Sequence, residues 1–263
     1  MGMGLLLLVA VLQGLTEFLP VSSSGHLVAA AELFDLGLAG RGREAFFVLL
    51  HGASLLAVLV GLAPTWLRLL RDGAWQRTLA IAVLGTLPAA AAGLGLRAAG
   101  ATGLFESLGL VAAGWAVTAL VLRSTRGRDG QADPFDGAFP MRLVLLVGAA
   151  QAFALVPGIS RSGVTIAAAL LLGTRRREAF ELSFLLAIPA IGGALLLDAG
   201  ELGHLPGSAA VGSLVLAFVA AFVVSLAALL VLRRVVERER LHVFAPYCAL
   251  LAIATVVYLV LAK

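Results

Sequence analysis

Glu17, Ser23, His26 and Arg161 are polar side chains embedded in apolar sequence, and between them they hold the parts of a group-transfer site. Ser23 offers a hydroxyl nucleophile, and His26, three residues on, is close enough within one helical turn for its imidazole to reach that hydroxyl or an anion bound above it. Arg161 is the one basic residue at membrane depth, a position costing about 2.5 to 3.5 kcal/mol on insertion scales before pairing is counted, so it needs an anion. Glu17 follows Gln13 by one turn, which puts both on one helix face. A structural Glu17–Arg161 ion pair is the plain alternative to a catalytic one.

These residues belong to two breaks that are one motif written twice, 138 positions apart. The first runs Val21-Ser22-Ser23-Ser24-Gly25-His26 and the second Gly158-Ile159-Ser160-Arg161-Ser162-Gly163. Gln13 falls on Gln151, Ser22 on Ser160, Ser24 on Ser162 and Gly25 on Gly163, with Pro20 and Pro157 just upstream. Each break restarts a helix whose first N–H groups lack intrahelical partners, and with the helix dipole these make an anion site. The serines either cap those helix starts or donate to phosphate oxygens. Arg161 and two helix N-termini, offset by Glu17, leave roughly one positive charge, short of the about −2 to −3 of a diphosphate. A divalent cation, Mg²⁺ or Ca²⁺, held by Glu17 and phosphate oxygens closes that gap.

The elements that position these groups follow from composition. The chain has 263 residues, 61% apolar and 13% charged. Its mean hydropathy is +1.04, far above that of a soluble domain. Long Leu, Ala and Val runs with little aromatic content exclude the alternating pattern of a membrane barrel, so the class is an all-α integral membrane protein. The N-terminal run lacks a basic start and a small-residue cleavage site and reads as retained. Cys248, the single cysteine, reads as a small buried hydrophobe. The calculated pI of 10.2 comes from arginines in short loops, which are orientation signals and contacts for anionic lipid rather than a nucleic-acid surface.

Six stretches are long and apolar enough to cross: 46–63, 78–96, 106–122, 179–197, 208–232 and 242–261. Residues 4–31 and 141–172 are each split by a serine motif and read as re-entrant helical hairpins. With hairpins the loops divide the basic residues 14 against 4, whereas continuous kinked spans divide them 10 against 8, so the positive-inside rule selects hairpins. Each half then has one hairpin and three spans, and an odd number inverts the second half. The expected organisation is a first inverted repeat over 1–123, a cytoplasmic linker at 124–140 and a second repeat over 141–263, within a single membrane domain. Arg43-Glu44-Ala45-Phe46 recurring as Arg177-Glu178-Ala179-Phe180 supports the duplication. Both termini are expected outside, with the two motifs facing each other near the bilayer midplane. His51, in the first full span, either faces the same cavity or is structural, and it belongs to neither serine motif.

At the motifs the chain resembles the undecaprenyl-diphosphate phosphatase family, the integral-membrane type linked to bacitracin resistance, over nearly its full length. The segment Gln13 to His26 is similar to the family's first motif, and Pro157-Gly158-Ile159-Ser160-Arg161-Ser162-Gly163-Val164-Thr165 to its second. Gln13 stands where many members carry glutamate, and Ser24 where threonine is common. The resemblance implies hydrolysis of undecaprenyl (polyprenyl) diphosphate to the monophosphate and inorganic phosphate, recycling the cell-wall carrier lipid, with the site open to the outer side of the plasma membrane. Carried onto matching positions, it makes Glu17, Ser23, His26 and Arg161 catalytic, lines the pocket with Gln13, Ser22, Ser24, Gly158, Ser160, Ser162 and Thr165, and gives Glu17 to the metal. Attack by Ser23 with His26 as base, by His26 itself, or by water all stay open. A secondary transporter or flippase of a lipid phosphate fits the architecture too, although a nucleophile beside a base favours chemistry. Monomer and homodimer fit equally.

Overall fold

The computed structural model describes residues 3–33, 40–73, 75–100, 107–135, 140–205 and 211–262. Among them eleven α-helices follow in order: α1 Met3–Phe18, α2 Ser23–Leu33, α3 Arg41–Gly61, α4 Ala63–Arg71, α5 Trp75–Ala98, α6 Leu108–Ser124, α7 Met141–Phe153, α8 Arg161–Leu171, α9 Arg176–Asp198, α10 Val211–Glu237 and α11 Ala245–Leu261. Among the described residues the only strand-like pairing is an isolated bridge between Ala132 and Thr174. The protein is therefore all-helical, as its composition requires.

Among the described residues five helical stretches are long and apolar enough to cross a membrane: α3, α5, α10, α9 with the 3-10 turn that follows it, and α11 with the 3-10 turn that precedes it. The sixth expected crossing is α6, of 17 residues. The expected span starts at Glu106 and Ser208 lie outside the described residues. Helix α4 was not anticipated, because its sequence is amphipathic rather than continuously apolar. Arg68 and Arg71 mark its last turn, where they oppose the negative end of the helix dipole.

Polarity is distributed as a bilayer demands. Leu120, Leu196, Leu250 and Val260 stand exposed on outer faces, while Gln13, Ser54, Thr118, Gln151, Thr165, Glu181 and Ser225 are buried. Without water to satisfy them, interior hydroxyls bond across helices, as Ser54 on α3 does with Ser225 on α10 at 3.0 Å.

The halves interlock rather than sit apart. Helix α1 packs on α10, α7 on α5, α3 on α10, α9 on α5, and α6 on α11. The loop after α6 is pinned to the α8–α9 connection by Ala132 N–H to Gly173 O, 3.0 Å, and Arg175 N–H to Ala132 O, 3.1 Å.

At the arginine-rich end, basic residues expected to serve as orientation signals make ion pairs. Glu181 is fully buried and accepts from Arg68 at 2.5 Å, Arg177 at 3.0 Å and Thr65 at 3.1 Å. Arg176 reaches Asp129 and Glu239, and Arg175 reaches Asp133 and Glu178. Acids distant in sequence supply most of these partners, so local spacing did not reveal them.

Candidate active site

Both serine motifs interrupt helices where the sequence placed them. Helix α1 ends at Phe18 and α2 begins at Ser23; α7 ends at Phe153 and α8 begins at Arg161. Ser22 has φ of +69°, a left-handed conformation costing a non-glycine residue on the order of 1–3 kcal/mol. Its hydroxyl oxygen offsets that cost by accepting from Gly25 N–H at 3.3 Å and from Gly158 N–H, in the other motif, at 3.0 Å. Gly158 has φ of +90°, which favours glycine, and a Cβ at Gly25 would lie 3.0 Å from the Gly158 nitrogen. The two breaks therefore touch through their backbones.

A collar of hydrogen bonds fixes this contact. Ser162 donates to Phe18 O at 2.8 Å, tying the start of α8 to the end of α1. Thr118 on α6 donates to Gly158 O at 2.7 Å and accepts from Ser160 N–H at 3.0 Å. Trp115, also on α6, donates its indole N–H to Val21 O at 2.9 Å. Ser160 caps α8 by accepting from Gly163 N–H at 3.2 Å.

Within the collar lies a cavity of about 170 Å³ lined by Thr16, Glu17, Ser22, Ser23, Ser24, His51, Ala154, Ile159, Ser160 and Arg161. The Glu17 carboxylate is its hub. Oε1 accepts from Arg161 at 3.1 Å, and Oε2 accepts from Ser23 Oγ at 2.8 Å and from Gln13 Nε2 at 2.9 Å. The Arg161 guanidinium is also held over the Phe184 ring, 5.8 Å from its centroid, and its second terminal nitrogen is buried without a partner among the described residues. Its unused donor capacity is of the kind phosphoryl oxygens take.

The geometry sorts the expected residues. Glu17, Ser23 and Arg161 come together as a bonded unit, with Ser22, Ser24 and Ser160 on the cavity wall and Gln13 bonded behind Glu17. Gly158, Ser162 and Thr165 build the scaffold instead; Thr165 is fully buried, bonding Arg161 O at 2.7 Å and Ser183 at 2.6 Å. The expected Ser23–His26 pairing is not made. The His26 ring nitrogens lie 2.7 Å from Ser22 O and 2.8 Å from the Tyr247 hydroxyl. Its ring stacks on Tyr247 and meets Trp115 edge-on. His26 shares the first turn of α2 with Ser23, but Trp115 on α6 and Tyr247 on α11 hold its ring instead.

His51 takes the place beside the hub, with Nε2 3.3 Å from Gln13 Nε2 and 3.8 Å from Glu17 Oε2. Motif repetition does not find it, because nothing in α3 repeats the serine motif. A polar ring in an otherwise apolar span was the available signal.

The sequence profile described as bacitracin resistance protein BacA matches residues 6–254. The chain belongs to the BacA family. It is 43% identical to the undecaprenyl-diphosphatase of Desulfosudis oleivorans, with 92% of this chain and 93% of that protein covered. It is 37% identical to the undecaprenyl-diphosphatase of Korarchaeum cryptofilum, covering 94% and 96%. Undecaprenyl-diphosphatase 1 of Bacillus cereus is 34% identical, with 96% of each covered. In this BacA-family chain both motifs lie within the matched span and supply the cavity's Glu17, Ser23 and Arg161.

As to the metal, Glu17 is the one carboxylate among the described residues on the cavity wall, an oxygen donor of the kind a hard divalent cation takes. Among the described residues no group of three His, Cys, Asp or Glu side chains could hold an ion alone. The residues fit an ion whose remaining ligands are phosphate oxygens and water.

Proposed function

We propose that this protein hydrolyses undecaprenyl diphosphate to undecaprenyl phosphate and inorganic phosphate, with the associated bacitracin resistance of its family. Family membership and the names of the relatives support the reaction, and one observation carries the mechanism: the Ser23 hydroxyl donates to the Glu17 carboxylate at 2.8 Å inside a cavity walled by Arg161. Ser23 Oγ attacks the terminal phosphorus as its proton passes to Glu17. The new Oγ–P bond replaces the bridging P–O bond, and polyprenyl monophosphate leaves. Water then cleaves phospho-Ser23, returning the proton to the serine. Arg161 and the first N–H groups of α2 and α8 receive charge on the phosphoryl oxygens. A divalent cation would be held by Glu17 and would supply charge neutralisation of the diphosphate.

His26 enters this reading as the residue that fixes α2 against α6 and α11. The finer architecture is an inverted repeat, 1–123 and 141–263 joined by a linker at 124–140, each half opening with a re-entrant hairpin. Its support is that exchanging the halves turns the α1–α10 packing into α7–α5 and the α3–α10 packing into α9–α5, and leaves α6–α11 unchanged. The arginine count supports termini and site on the outer side of the plasma membrane.

The test is phosphate release from undecaprenyl diphosphate by purified protein in detergent, with acid-stable label expected on Ser23 after rapid quenching. No phosphate release, alongside lipid movement in reconstituted vesicles, would instead establish the flippase reading. Release without label and with a fully active Ser23→Ala would sink Ser23 as nucleophile.

A further inference from the structure

We propose that His51 is a positioning residue of this site, orienting the Glu17 carboxylate through the side-chain amide of Gln13. The inference rests on the role of Ser23 and Glu17 given above. His51 Nδ1 lies 2.8 Å from Phe47 O, and a carbonyl oxygen only accepts, so the proton of the neutral ring is on Nδ1 and Nε2 carries a lone pair. The amide is assigned by the same logic. A carboxylate only accepts, so the Gln13 atom 2.9 Å from Glu17 Oε2 is the nitrogen, and its second hydrogen meets His51 Nε2 at 3.3 Å.

One directed chain results. It runs from the α3 backbone at Phe47 through His51 and Gln13 to Glu17, whose Oε2 also receives the Ser23 hydroxyl. Gln13 is fully buried and has no other polar partner for its nitrogen among the described residues. Without a lone pair at position 51 the amide is free to turn, which sets its oxygen against the carboxylate and pushes Oε2 away from Ser23. His51 does not touch the nucleophile; its lever is the orientation of the amide.

The experiment measures phosphate release kinetics, with folding followed by thermal unfolding and elution in detergent. His51→Leu lowers kcat by about 10–100-fold with KM little changed, the range typical of second-layer partners of a reactive group. His51→Gln, whose amide oxygen can accept from Gln13, restores most of that loss. Adding His51→Leu to Gln13→Leu costs nothing further, because both act through one bond. Wild-type kcat in a folded His51→Leu, or losses that multiply in the double variant, overturns the proposal. So does a His51→Gln as impaired as His51→Leu, which would give the imidazole proton chemistry of its own. Failure of the parent enzyme to release phosphate would instead overturn the function itself.

Discussion

Glu17 lies one residue from the C-terminal end of α1 and Arg161 at the first position of α8, so each charge sits at the helix end whose dipole opposes it. Neither is comfortable alone, and the 3.1 Å pair serves both while leaving one guanidinium nitrogen unpartnered among the described residues. Arg161→Lys cannot do both with a single ammonium, and it should cut phosphate release at least about 10-fold while the protein stays folded. At an offset of 138, Ser23 and Arg161 are equivalent positions of the duplicated motif, so one copy carries a hydroxyl and the other the cation. His26→Gln separates placement from proton transfer. With His26 bonded to Tyr247 and Ser22 O, the variant should keep labelling Ser23, and loss of labelling as complete as in Ser23→Ala would transfer the base role to His26.

At the scale of elements, the site depends on two breaks held in contact by the α6 residues Trp115 and Thr118. Gly158 at positive φ is pressed against α6, where an added Cβ would strike the Val111 carbonyl. Gly158→Ala should lower both the thermal midpoint in detergent and the activity. Ser160→Ala removes only a cap, worth about 1 kcal/mol, and should reduce the midpoint modestly. Equal effects of the two would contradict the close approach of the breaks. The duplicated Pro/Ser/Gly pattern made both breaks legible in the sequence, because non-helical backbone persists at membrane depth only where it is buried in protein or lines a cavity. The bonds between them were not legible, since Ser22 to Gly158 spans 136 positions.

Across the whole molecule, the interlocked halves leave one arginine-rich end stitched by ion pairs around Glu181. That carboxylate is fully buried with three partners, whereas the Arg97–Asp198 pair is exposed. Glu181→Gln should therefore lower the thermal midpoint by several degrees and Arg97→Ala by little, since exposed pairs contribute about 0–1 kcal/mol. Cys248 is the single cysteine and is fully buried, which makes topology testable: in a Cys248→Ser background, Arg97→Cys should react with an impermeant thiol reagent in intact cells and Arg126→Cys only after permeabilisation. The opposite pattern would invert the proposed orientation. The membrane class, the helix breaks and the polar Glu17, Ser23 and Arg161 set at them were legible in the sequence alone, because hydropathy and motif repetition are local properties of the chain. Which histidine faces the cavity was decided only in three dimensions. His26 and His51 are each one polar ring in an apolar helix, and only the packing of α6 and α11 against α2, with α1 against α3, turns one into the aromatic layer and brings the other to the carboxylate.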